Sequence, residues 1–78
     1  MFVYRIRSVS YPTQTYIGSS RDVHQRLAEH NAGKSPHTSK FVPWKFDFYF
    51  WIDDKVKAAA FERYLKTGSG RAFAKRHF

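Results

Sequence analysis

TYIGSSRDVHQRLAEH, Thr15 to His30, decides the fold. Thr15, Tyr16 and Ile17 favour a strand that stops at Gly18, and Ser19, Ser20 and Arg21 make a polar turn. Asp22 is a good helix N-cap, with Gln25 at capping-box spacing. Val23, Leu27 and His30 then recur at helical spacing, so one face of the helix looks inward with His30 at the edge of the core. Arg26 and His30, four residues apart, are neighbours on that helix. A tyrosine, a glycine, an arginine and a histidine thus converge near a helix N-terminus, whose backbone N–H groups favour a phosphate.

Working outward, Phe2–Ser8 alternates. Phe2, Tyr4 and Ile6 point one way as an apolar face, and Val3, Arg5 and Arg7 point the other. The turn-rich Val9–Gln14 joins this strand to Thr15 as an antiparallel hairpin. The helix after Asp22 should end at Asn31-Ala32-Gly33, with Gly33 in the left-handed C′ position. Lys34 to Pro43 is a polar, basic loop punctuated by Pro36 and Pro43. Trp44 to Ile52, WKFDFYFWI, is the strongest strand signal in the chain. Simple alternation puts Phe46, Phe48 and Phe50 on one side, and the aromatic character of both faces predicts a strand that is central or covered on both sides. Asp53 or Asp54 caps a second helix, with Val56, Ala60 and Tyr64, and also Phe61 and Leu65, as its apolar stripe. Gly68-Ser69-Gly70 should end that helix, leaving Arg71–Phe78 as a short basic helix closed down by Phe73 and Phe78. The layout is ββαβαα, an α+β domain on a small sheet, with residues 1–78 as a single domain.

Fifteen aromatics among 78 residues (eight Phe, five Tyr, two Trp) supply the area that so short a chain needs for a core. Cysteine is absent, which excludes disulfides and thiolate metal sites. No segment is apolar enough to span a membrane or serve as a signal peptide, so a soluble cytoplasmic protein is expected. Fourteen Lys and Arg against six Asp and Glu leave a net charge of +8, which together with the aromatics favours a nucleic-acid partner. The basic residues are spread along the chain, as on a folded surface rather than a tail.

Tyr4 and Tyr16 lie on two strands of one hairpin and can present phenols on the same side of the sheet. They are either cross-strand packing residues or a pair that orders or deprotonates a water. Arg26 beside His30 is either an ordinary exposed helix pair or a grip on a phosphate. Glu62 projects from a face of small and apolar residues, so its carboxylate either pairs with an arginine or holds a hard divalent cation such as Mg²⁺. The four histidines have no spacing that marks a zinc site.

The ordered set of Tyr4, Tyr16-Ile17-Gly18, Arg26, His30 and Glu62 resembles the GIY-YIG nuclease domain over nearly the whole chain. With Phe61–Lys66 and Gly68–Arg76, the likeness is nearest to small stand-alone bacterial proteins similar to the N-terminal nuclease domain of the excinuclease ABC C subunit. The resemblance implies a three-stranded antiparallel sheet flanked by helices and a metal-dependent endonuclease that hydrolyses phosphodiester bonds in DNA. In that role Tyr4 and Tyr16 flank the attacking water, one of them acting as or assisting the general base. Arg26 stabilises phosphate charge, His30 orients or shuttles a proton, and Glu62 holds a single Mg²⁺ or Mn²⁺. A phenol, with an ordinary pKa of about 10, serves as base at neutral pH only if Arg26 or the metal depresses it. Gly18, Ser19, Arg21, Lys34 and Arg71 are the further candidates for phosphate or nucleic-acid contact.

The chain departs from the family pattern in three places. Phe2-Val3-Tyr4 keeps only the tyrosine of the first motif, and Ser19 and Ser20 stand where many members have a lysine, a role Arg21 or Lys34 would have to fill. The asparagine common near the family's C-terminal end is absent, with Ser69 as the nearby polar group. The alternative is a non-catalytic module on the same fold that binds DNA or RNA. DNA is favoured over RNA as the partner, with RNA left open for the non-catalytic module. With no appended DNA-binding domain, cleavage would be non-specific, selective for a structure such as a flap or branch, or guided by a partner protein.

Overall fold

In a computed structural model, which describes all 78 residues, the hairpin forms from β1 (Phe2–Ser8) and β2 (Thr15–Ser20). β2 runs two residues past the expected stop at Gly18. α1 (Val23–Asn31) follows, then a short 3₁₀ turn at Ser39–Phe41, β3 (Trp44–Trp51), α2 (Lys55–Leu65) and α3 (Gly68–His77). The three strands form one antiparallel sheet in the order β2-β1-β3. α1 covers one face and α2 with α3 cover the other, which gives the expected α+β architecture.

β1 is the central strand, and β3 lies at an edge. The long aromatic run therefore does not mark the middle of the sheet, and Tyr49 and Trp51 remain 42% and 55% exposed. The residues of β1 on both of its faces are buried instead: Val3 packs with Phe48, Ala58, Leu65 and Ala74, while Tyr4 and Ile6 pack with Val23 and Trp44. Fully burying Leu65 contributes on the order of 2 kcal/mol.

The simple alternation expected for β3 fails at Asp47. Arg5 pairs with Phe48 but Ile6 with Phe46, so β3 carries one extra residue there. The bulge puts Phe46 on the α1 side with Tyr4, while Phe48 and Phe50 face α2 and α3. It also aims the Asp47 carboxylate at Arg5 and Arg7, at 2.9 Å from each guanidinium. A carboxylate that meets two arginines on an otherwise apolar face is the physical reason for the irregularity.

The helix signals hold where they are local. The Asp22 carboxylate accepts from the Gln25 N–H, although the Gln25 side chain turns to Glu29 rather than completing the reciprocal box. Gly33 has a φ of 76°, and the N–H groups of Gly33 and Lys34 close on the carbonyls of His30 and Glu29. Of the two candidate aspartates, Asp54 is the cap of α2, accepting from Val56 and Lys57 N–H. The buried side of α2 is Ala58 and Leu65 with Phe61 partly covered; Val56 and Tyr64 are 77% and 39% exposed, which corrects the expected stripe.

Gly68-Ser69-Gly70 begins a helix rather than ending one. Lys66 caps α2, and Thr67 caps α3 by accepting the Gly70 N–H on its hydroxyl at 3.1 Å. A Cβ on Gly70 would sit 1.8 Å from the Tyr64 carbonyl oxygen, so the glycine is there to let α3 start against the end of α2. The closing aromatics of α3 are only partly as expected: Phe73 is half-buried, while Phe78 stacks on Phe48 at 4.6 Å but stays 52% exposed. No helix is long and apolar enough to cross a membrane.

Candidate active site

Tyr4 and Tyr16 project from the same sheet face, with ring centroids 6.3 Å apart. Tyr4 lies opposite Gly18 in the β1–β2 register, and a Cβ there would stand 2.7 Å from its hydroxyl. Gly18 thus makes the room that the Tyr4 phenol occupies. α1 brings His30 against the pair: its Nε2 lies 2.9 Å from the Tyr4 hydroxyl, and its ring centroid 4.9 Å from that of Tyr16. His30 is fully buried rather than at the edge of the core.

The other imidazole nitrogen is held by a residue that no sequence pattern singled out. His30 Nδ1 lies 2.8 Å from the hydroxyl of Thr38, which is itself buried in the loop after α1. Thr38 is anchored in turn by its carbonyl, which accepts the Trp44 indole N–H at 2.9 Å, and its hydroxyl faces the Ser35 carbonyl at 3.5 Å. A polar loop gives no local sign that one threonine will be sealed under a tryptophan.

Burial, reinforced by Tyr16, pushes the Tyr4 phenol up to about 12; Arg26 pulls the other way, and Glu62 adds to the rise. Arg26 does pull the phenol down, as a tyrosine base requires, but desolvation outweighs the guanidinium and the net shift is upward. Burial and the charge of Arg26 hold His30 below its ordinary value, against the opposing pull of Glu29. Arg26 itself is half-buried and pairs with Glu29 at 2.9 Å. Because folded His30 takes up its proton at lower pH than in the unfolded chain, the stability it contributes is complete above about pH 6.5 and is lost as pH falls through the folded value. Urea midpoints should accordingly fall between about pH 7 and about pH 5, and fall less in a His30→Gln chain, which lacks that site. Equal losses in the two chains would contradict a buried neutral imidazole.

Glu62 arrives from α2 at the other flank of β2. Its carboxylate meets neither an arginine partner nor a cluster of acids: it accepts from the Ser19 hydroxyl and pairs with Lys66 at 3.0 Å. Burial acts to raise this carboxyl, but Ser19 and Lys66, with Arg63 behind them, together hold it below the usual carboxylate range. No group of three His, Cys, Asp or Glu is assembled anywhere in the molecule. The carboxylate is ionised and partly exposed, but Ser19 and Lys66 take one oxygen each, so a Mg²⁺ or Mn²⁺ ion held there would have to displace them and draw its other oxygens from water and substrate phosphate.

Of the expected phosphate contacts, Gly18 and Ser19 lie within this group, and Ser19 serves Glu62. Arg21 is exposed beside Ser20 and shares a shallow hollow with Arg26. Arg71 lines a cleft with Tyr16 and Lys66. Lys34 is not brought in: it sits beyond the C-terminal end of α1 in a hollow with Gln25, Ala28 and Ala32. The chain turns at Gly33 before reaching it, so its proximity to α1 in sequence is misleading.

The family model described as the GIY-YIG catalytic domain matches residues 1–76. No curated protein and no solved structure matches the chain. With its ββαβαα order, its antiparallel sheet and the Tyr4–Tyr16–His30 group set around Gly18, the chain belongs to the GIY-YIG catalytic domain family, whose fold is that of a nuclease.

Proposed function

We propose that the protein is a divalent-metal-dependent endonuclease that hydrolyses phosphodiester bonds in DNA, working in the cytoplasm in DNA repair or processing. The observation that carries this reading is the buried hydrogen bond between Tyr4 and His30 beside Arg26. With the Nδ1–H of His30 donating to Thr38, and the Thr38 hydroxyl turned to the Ser35 carbonyl, Nε2 is the acceptor for the Tyr4 hydroxyl. A water attacking phosphorus then passes a proton to the Tyr4 oxygen as Tyr4 passes its own to Nε2. The result is an imidazolium, and a phenol with a pKa of about 12 never has to ionise in advance. Tyr16, against the same imidazole, orients the water. Arg26 stabilises the charge that builds on the phosphate oxygens. Glu62 would hold the Mg²⁺ or Mn²⁺, and such an ion supplies Lewis-acid stabilisation of the phosphate and the leaving oxygen.

One observation favours a second reading. Ser19 and Lys66 already occupy both Glu62 oxygens, as in a domain that binds nucleic acid without metal. Incubating the protein with single-stranded, duplex and branched DNA in Mg²⁺ or Mn²⁺ separates the two. Cleavage should fall by about 10²–10³-fold in Arg26→Ala and to background in Glu62→Ala. Salt-sensitive binding that survives Glu62→Ala, with all three DNAs left intact by the wild type, would establish the binding module instead.

A further inference from the structure

Between the β1–β2 hairpin and the corner where α2 meets α3 lies an open cleft of about 540 Å³. Its lining includes Arg5, Thr13, Gln14, Tyr16, Lys66 and Arg71, and no carboxylate. Its size is that of a site for one small unit, within the roughly 300–1,000 Å³ typical of ligand pockets. The floor is the unusual part. Arg5 is only 9% exposed, yet only its Nε is bound, to Asp47 at 2.9 Å. Its two η nitrogens have no hydrogen-bond partner in the protein, and neither is sealed from solvent. Its Cζ lies 5.0 Å from the centroid of the Phe48 ring, which with Asp47 fixes the plane of the guanidinium. A nearly buried, oriented guanidinium with its fork unused matches the two oxygens of a phosphodiester.

Lys66 and Arg71 add two cations on the wall, and Thr13 and Gln14 add neutral hydrogen-bonding groups on the hairpin side. The cleft adjoins the candidate active site, since Tyr16 borders both and Lys66 pairs with Glu62. Arg5 is nearly buried on the cleft floor, so a phosphate must enter the cleft to meet it, which suits the flexible backbone of a single strand better than a stiff double helix. A single strand has one exposed backbone and can enter. The geometry points to this cleft as the seat of a single-stranded nucleic-acid segment flanking the scissile phosphate, with the η nitrogens of Arg5 gripping one phosphate and Arg71 the next. The assignment rests on the nuclease reading for the identity of the neighbouring site. It makes single-strand-containing DNA, such as a flap or a splayed end, the substrate class.

Binding without divalent metal tests the cleft separately from cleavage. ¹⁵N-labelled protein is titrated with a short oligothymidylate, with a duplex of equal length and with thymidine monophosphate, following the Arg5 Nε–Hε resonance and the affinity. The single strand should shift that resonance and the duplex should not. Arg71→Ala should weaken single-strand binding roughly 5- to 10-fold and lower its log–log salt slope by about 0.7. Arg5→Lys, which keeps a cation for Asp47 but loses the fork, should weaken it as well. An unmoved Arg5 resonance, variants that bind like the wild type, or a duplex that shifts Arg5 equally would overturn the assignment. So would thymidine monophosphate binding as tightly as the strand, which would make this a site for a free nucleotide. DNA left uncut in metal would bear on the nuclease reading and leave these readouts standing.

Discussion

Tyr4→Phe is expected to lower single-turnover DNA cleavage by about 10²–10⁴-fold while leaving DNA affinity unchanged. The ring keeps its place in the core against Ile6, Val23 and Trp44, so packing survives. On the proposed relay, what disappears is the oxygen that would take the proton of the water and the proton it would deliver to His30 Nε2. The imidazole nitrogen is then buried without its partner, at a cost of roughly 1–3 kcal/mol, so circular dichroism and a urea melt belong beside the kinetics. A folded Tyr4→Phe chain that cleaves at the wild-type rate would remove Tyr4 from the chemistry and leave it as packing.

The second large effect is on the fold. Gly70→Ala should destabilise the domain by about 3 kcal/mol or more, a fall of roughly 12 °C or more in Tm. The added Cβ would lie 1.8 Å from the Tyr64 carbonyl oxygen, 2.5 Å from its carbon and 2.7 Å from Leu65 Cα. All three are backbone atoms of the end of α2, and they cannot turn aside as a side chain would. Gly68→Ala is the matched control, because nothing lies within 4 Å of its missing Cβ. It should leave Tm unchanged or raise it slightly, since alanine is the better helix former. Equal melting of the two variants would contradict the close approach of α3 to α2.

These two residues also mark how far the fold and site can be read before any coordinates. Tyr4, Tyr16, Arg26 and His30 were legible because strand alternation and helical spacing are local rules, and those rules placed them on one sheet face and one helix. The caps at Asp22 and Asp54 and the left-handed turn at Gly33 followed from equally local chemistry. Gly70 was misread because a Gly-Ser-Gly run ends helices as readily as it permits one to begin. The contact that decides it, with the backbone of Tyr64, belongs to the packing of two helices. The bulge at Asp47 was hidden for the same reason: its cause is Arg5 and Arg7 on another strand. Thr38 could not be singled out, since its importance comes from His30 and Trp44 closing over it. The ionisation of Tyr4 required its burial to be weighed against Arg26, and burial prevailed.

The departures at Ser19 and Ser69 can now be placed. Ser19 holds the Glu62 carboxylate, and Ser69 stands exposed in the first turn of α3. The cation nearest Glu62 is Lys66, on the same helix face, rather than Arg21 or Lys34.

In the proposed reaction a water attacks a DNA phosphodiester while its proton is relayed through Tyr4 to His30. Its most direct test is a single-turnover reaction with flapped DNA and Mn²⁺ in ¹⁸O-labelled water, with the product termini weighed by mass spectrometry. One ¹⁸O atom in each newly formed terminal phosphate is the expected result; DNA left intact, or a terminal phosphate that carries no label, would contradict it.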